Sequence, residues 1–91
     1  MFQWDDTKAA ENLAKHRVTF EAARDGFKDP FALDWHDDSQ GADEQRFASL
    51  AMVEGRLLFI AYTMRGEAIR IISARLAEPY ERRRYHDDNE A

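Results

Sequence analysis

The 91-residue sequence contains no cysteine, which excludes disulfides, thiolate metal ligands and a cysteine nucleophile together. Only oxygen and imidazole ligands remain for any metal. Proline occurs twice and glycine four times, so chain breaks are few and each carries positional information. Long apolar runs are missing too: the longest, Leu57 to Met64, falls far short of a membrane-spanning helix. The opening Met-Phe-Gln-Trp-Asp-Asp lacks the basic patch and apolar stretch of a secretory signal, and a cytoplasmic protein with no membrane partner is expected. Internal repeats and low-complexity tracts are absent as well.

What is present suits a globular chain: 44% hydrophobic and 34% charged residues, enough for one modest core, so residues 1–91 read as a single domain. The net charge of −5 conceals an asymmetry. Residues 1–45 carry five basic and eleven acidic side chains, whereas Arg46 to His86 carries eight arginines against Glu54, Glu67, Glu78 and Glu81. Every cation of that second segment is arginine, whose planar fork matches phosphate better than a lysine does. A surface ion pair is the alternative role for each of them.

Local pattern gives the elements. Phe2-Gln3-Trp4 reads as a short strand, and Asp5 caps a helix to about His16 with Ala9, Ala10 and Leu13 inward and Lys8, Glu11 and Lys15 facing water. Val18 precedes Thr19, the cap of a second helix that buries Phe20, Ala23 and Phe27 and ends over Gly26 to Pro30. Phe31, Leu33 and Trp35 then alternate with Ala32, Asp34 and His36, as a half-buried strand does. Asp37 to Gln45 reads as a loop. Strands over Phe47–Val53, Leu57–Met64 and Ala68–Arg75 follow, separated by Glu54-Gly55-Arg56 and Arg65-Gly66-Glu67, three-residue connections that specify a meander. Pro79 suits the first turn of a last helix continuing from Tyr80 to His86. The fold class is α+β: a small antiparallel sheet with two N-terminal helices and one C-terminal helix.

An ordered set of residues narrows this further. Trp4-Asp5 with Lys8 and Asn12, Lys15-His16 before Val18, Phe20-Glu21-Ala22, and Phe27 with Asp29-Pro30 form its first half. Glu44 and Arg46, Tyr62-Thr63 and Arg65, Ile69 through Arg75, then Glu81-Arg82 and Tyr85 form its second. Over nearly the whole chain this set resembles the BrnT family of toxins. The resemblance implies a RelE-like fold, metal-independent RNA cleavage that slows translation and growth, and neutralisation by a DNA-binding BrnA-type antitoxin, through which alone DNA is reached. It implies no cofactor. The position after Lys15-His16, usually glycine in the family, is Arg17 here, at a turn expected to be left-handed.

RNA carries its own nucleophile, so a metal-free ribonuclease needs a base for the 2′-hydroxyl proton, a cation for the phosphorane charge and an acid for the leaving oxygen. Lys15, His16 and Glu44 are candidate bases or acids; Arg46, Arg65, Arg70 and Arg75 are candidate phosphate ligands. Strand alternation puts Arg70 and Arg75 on opposite faces unless a bulge intervenes, while Arg65, read at a hairpin loop, can reach either. Arg46, Arg82 and Tyr85 are candidate RNA contacts. His16, at a helix end, also fits a role against the carbonyl dipole. Trp4 and Tyr62 read as core, whereas Trp35 and Tyr85, beside polar or basic segments, fit either core or base stacking. His36-Asp37-Asp38 and His86-Asp87-Asp88 have metal-ligating side chains, but adjacent residues rarely converge on one ion.

Three functions compete. The first is an endoribonuclease toxin. The second is a catalytically weak or inactive toxin-fold module that binds antitoxin and takes part in operon autoregulation, for which the acidic N-terminal half offers a surface. The third, a stand-alone DNA-binding protein, rests only on the triplet Arg82-Arg83-Arg84.

Overall fold

The computed structural model describes residues 1–37 and 45–90. In chain order these form β1 (Phe2–Gln3), α1 (Asp6–His16), α2 (Phe20–Gly26), β2 (Leu33–Asp37), β3 (Arg46–Val53), β4 (Arg56–Arg65), β5 (Ala68–Leu76) and α3 (Pro79–Asn89). The α+β order expected from the sequence is thus present. Strands β2 to β5 make the antiparallel meander. Strand β1 adds in parallel to β5, giving the order β1-β5-β4-β3-β2. That parallel edge is a tertiary choice: α1 and α2 carry the chain from β1 across the sheet, and a two-residue strand has no pattern of its own.

Both hairpins are tighter than the three-residue connections expected. Val53 pairs with Arg56, and Arg65 with Ala68, so two residues remain in each turn. Glu54 and Gly55 have φ of 49° and 80°, the double positive of a type I′ turn, and Gly66 supplies the positive φ in the other turn. Arg65 is therefore the last residue of β4, its face fixed by alternation.

The helix caps follow the sequence. Asp5 accepts the Lys8 N–H at 3.0 Å, and Thr19 accepts that of Ala22 at 3.0 Å. The buried stripe of α1 differs, however: Leu13 is 44% exposed and Ala10 exposed, while Asn12 is buried. A polar residue is inward there because it meets backbone groups of β5. Phe31 also departs from expectation, lying outside β2 and 59% exposed. Asp29 holds the chain in a turn at that point by accepting the Phe31 N–H at 2.8 Å.

Two cores sandwich the sheet. On one face Val18, Phe20 and Ala23 pack on Ala51, Leu58 and Ile60. Gly26 permits this close approach, since a Cβ there would meet Ile60 Cδ1 at 2.8 Å. On the other face Tyr85 and Ala77 join Leu50 and Leu57, with Trp35 and Phe59 at the border. Helix α3 packs on this second face through Tyr85, beside Leu50 and Leu57.

Candidate functional site

A bulge in β5 decides what this second face presents. Ala61 pairs with Ser73, but the next residue, Tyr62, pairs with Ile71, so β5 holds one extra residue at Ile72. Ile71 and Ala74 both enter the helix-covered core as a result. Arg70 opposes Thr63 and Arg75 opposes Phe59, positions of like parity on β4. Arg70 and Arg75 therefore share a face, together with Arg65, which lies two residues beyond Thr63.

Arg46, Arg65 and Arg70 line a cleft of about 160 Å³ with Lys8 and Asp5 from the start of α1. Four cations thus surround one carboxylate. The hydrogen bond from the Lys8 N–H is the main reason the Asp5 carboxyl lies below its usual range, and Arg70 adds to the effect. Arg46 Nε is buried and has no hydrogen-bond acceptor among the described residues. A buried guanidinium donor in that state suits an anion that comes within its reach.

Lys15 and His16 do not line this cleft. They border a neighbouring groove of about 210 Å³ with Lys8, Glu11, Asn12, Ile72 and Ser73. Lys8 and Ile72 line both depressions, so the basic surface runs on from the arginines to the end of α1. Arg17 follows with φ 60° and ψ 30° and donates its N–H to the Leu13 carbonyl at 2.9 Å. The left-handed turn is thus retained without glycine. Glu44 lies outside the described residues.

Two expected site residues are taken up by the fold. Arg75 donates to both carboxylate oxygens of Glu81, at 2.9 and 3.0 Å, and its guanidinium sits 4.3 Å from the Phe59 ring centroid. Burial alone would raise the Glu81 carboxyl, but Arg75 and the Glu78 N–H outweigh it and hold the group ionised. Tyr85, expected to contact RNA, is 6% exposed, and its hydroxyl donates to Asp29 Oδ2 at 2.6 Å. Burial pushes this phenol up to about 12, with Asp29 adding to the shift. Its ring is core, one of the two roles left open to it by the sequence. Trp4 and Tyr62 both belong to the core under α1 and α2, as their surroundings in sequence suggest.

Other residues enter that sequence reasoning passed over. Lys8 was read as a water-facing helical lysine and as part of the family resemblance, with no role in a site. On α3, Glu81 and Tyr85 point inward, which leaves Arg84 beside the sheet: its guanidinium lies 4.5 Å from the Trp35 ring centroid. Arg82 is exposed and lines none of these depressions. Among the described residues no three histidine, aspartate or glutamate side chains gather as a metal site, and no helix is long and apolar enough to cross a membrane.

An arginine-rich cleft at one end of a meander marks a small α+β domain whose forked donors have the charge and geometry that suit a phosphate-bearing ligand. The particular family is given by comparison: the chain belongs to the BrnT family, the ribonuclease toxins of type II toxin–antitoxin systems, whose family model matches residues 4–81. No curated protein matches the chain.

Proposed function

We propose that this protein is a metal-independent, RelE-like endoribonuclease that acts in the cytoplasm, inhibits translation by cutting RNA, and is neutralised by a BrnA-type antitoxin. The observation that carries the reading is the convergence of Arg46, Arg65, Arg70 and Lys8 on one cleft. A scissile phosphate seated there receives forked donors for the charge that develops on its oxygens. The 2′-oxygen forms a bond to phosphorus as the bond to the 5′-oxygen breaks; a base takes the 2′-hydroxyl proton and an acid protonates the leaving 5′-oxygen. Lys15 and His16, on the adjoining groove, and Glu44, shortly before Arg46 in sequence, are the groups assigned to these proton transfers. Arg75 has a positioning role, since it is engaged with Glu81.

The test is incubation of antitoxin-free protein with RNA in the presence of a chelator. Cleavage leaving 2′,3′-cyclic phosphate ends is expected. Intact RNA, together with growth unaffected by induction, would overturn the reading and favour a module that only binds antitoxin.

A further inference from the structure

A second hollow lies on the sheet face shared by Arg46, Arg65 and Arg70, and none of those three arginines lines it. It measures about 300 Å³ and lies between α3 and the sheet, with Trp35 and Phe59 as its floor and Tyr80, Arg84, Arg75 and Asp37 around it. Three features set its chemistry. Trp35 and Phe59 meet edge to face with centroids 5.8 Å apart, which gives a rigid aromatic floor. The Arg84 guanidinium sits 4.5 Å from the Trp35 ring centroid, and that of Arg75 4.3 Å from the Phe59 centroid. Tyr80, 57% exposed, stands at the rim.

The two guanidinium groups differ in one respect. Arg75 is tied to Glu81 by two hydrogen bonds, whereas Arg84 is exposed and its described contact is the Trp35 ring. A rigid aromatic floor with an arginine plane over it is the surface on which unpaired nucleobases stack. The hollow is also joined to the arginine cleft by a single cross-strand pair: Asp37 lines the hollow, its partner Arg46 lines the cleft.

We infer that the Trp35–Phe59–Arg84 hollow is a nucleobase-stacking subsite that holds an unpaired base of single-stranded RNA while the neighbouring cleft holds a phosphate. This rests on the proposed action on RNA and adds to it a substrate class, single-stranded RNA, and a residue that discriminates it, Arg84. A duplex cannot use the subsite, because its bases are stacked on one another. Stacking tolerates every base, so the subsite selects for strandedness more than for sequence.

The test uses the whole chain with Trp4→Phe, which leaves Trp35 as the single tryptophan reporter. The probe is a mixed-sequence, single-stranded 2′-O-methyl RNA, which cannot supply the nucleophile for cleavage. Saturable quenching of Trp35 emission is expected, with none from the same sugar–phosphate backbone lacking bases. Arg84→Ala and Arg84→Lys should both weaken binding by about fivefold or more, because lysine keeps the charge and loses the plane. Binding without a change in Trp35 emission, or an Arg84→Lys protein that binds like wild type, would overturn the subsite. Quenching by the probe in a protein that leaves ordinary RNA uncut would support the subsite while sinking the ribonuclease reading. Absence of any RNA binding would remove both.

Discussion

The side-chain amide of Asn12 meets Ala74 as a neighbouring strand would: Oδ1 accepts the Ala74 N–H at 3.1 Å and Nδ2 donates to the Ala74 carbonyl at 2.8 Å. Strand β1 pairs with β5 only at Ile69 and Arg70, so the edge at Ala74 is closed by this one residue of α1. Nδ2 also donates to the Val18 carbonyl at 2.9 Å, which ties the turn after α1 to the same point. Asn12→Leu keeps the bulk but strips three buried backbone groups of their partner. We expect a loss of about 3 kcal/mol, measured as a lower urea midpoint. An unchanged midpoint would mean that water replaces the amide at no cost.

The arginine cleft predicts a separation of activity from stability. Arg70→Ala and Arg46→Ala remove forked donors from the cleft, and each should lower RNA cleavage by about 10²-fold. Both side chains lie outside the apolar clusters, so thermal unfolding should shift little. Arg82→Ala, on the far side of α3, should leave cleavage near the wild-type rate. If Arg82→Ala were as damaging as Arg70→Ala, the phosphate site would have to be moved to α3.

Two positive-φ positions are occupied by side chains that a better turn residue would replace. Arg17→Gly relieves the left-handed strain at the end of α1 and should stabilise by about 1 kcal/mol. Glu54→Asn creates Asn-Gly, the preferred pair for the type I′ turn between β3 and β4, and should stabilise by about 0.5 kcal/mol. Both gains are readable as a raised melting temperature. A drop for Arg17→Gly would show that the arginine's attraction to the helix carbonyls outweighs its strained backbone.

Glu81 and Asp29 set the response to acid. Burial alone would raise both carboxyls. Instead the Arg75 guanidinium lowers Glu81 below 4.5, and the Met52 N–H, Tyr85 hydroxyl and Phe31 N–H lower Asp29 below 3.8. A carboxyl depressed in the folded state contributes stability that is complete above its unfolded pKa and disappears as pH falls through the folded value. The contribution is therefore intact at neutral pH and fades below about pH 4. Glu81→Gln should lower stability at neutral pH and flatten its decline between about pH 5 and pH 2, followed by denaturant unfolding. Slopes identical to wild type would assign the acid sensitivity to other groups. Arg75→Ala strands a buried Glu81 carboxylate and should cost about 2 kcal/mol.

Much of the fold was legible because its signals are local. Gly55 and Gly66 punctuate apolar runs of strand length, and Asp5 and Thr19 announce their helices. What was hidden depends on distant partners. Tyr85 is core because Asp29, 56 residues earlier, accepts its hydroxyl. Asn12 faces inward because the Ala74 edge needs a partner, whereas the helical pattern alone put Leu13 there. The choice of Arg84 over Arg82 follows from the phase of α3, which Arg75 sets through Glu81. The extra residue of β5 sits among isoleucines, with no glycine or proline to mark it, so the shared face of Arg70 and Arg75 was visible only as a condition.

That extra residue lets β5 run one position long without turning its later side chains over. Deleting Ile72 would restore plain alternation and move no pair: Ile71 would still oppose Tyr62, Ser73 would still oppose Ala61, and Arg70 and Arg75, then four positions apart, would still share a face. Arg75 would keep its place opposite Phe59, and only the local bend and added twist of the bulge would go. A relative one residue shorter at this point could thus build the same arginine face from an unbroken strand, so in this family a one-residue alignment gap here does not by itself mark the loss of the cleft.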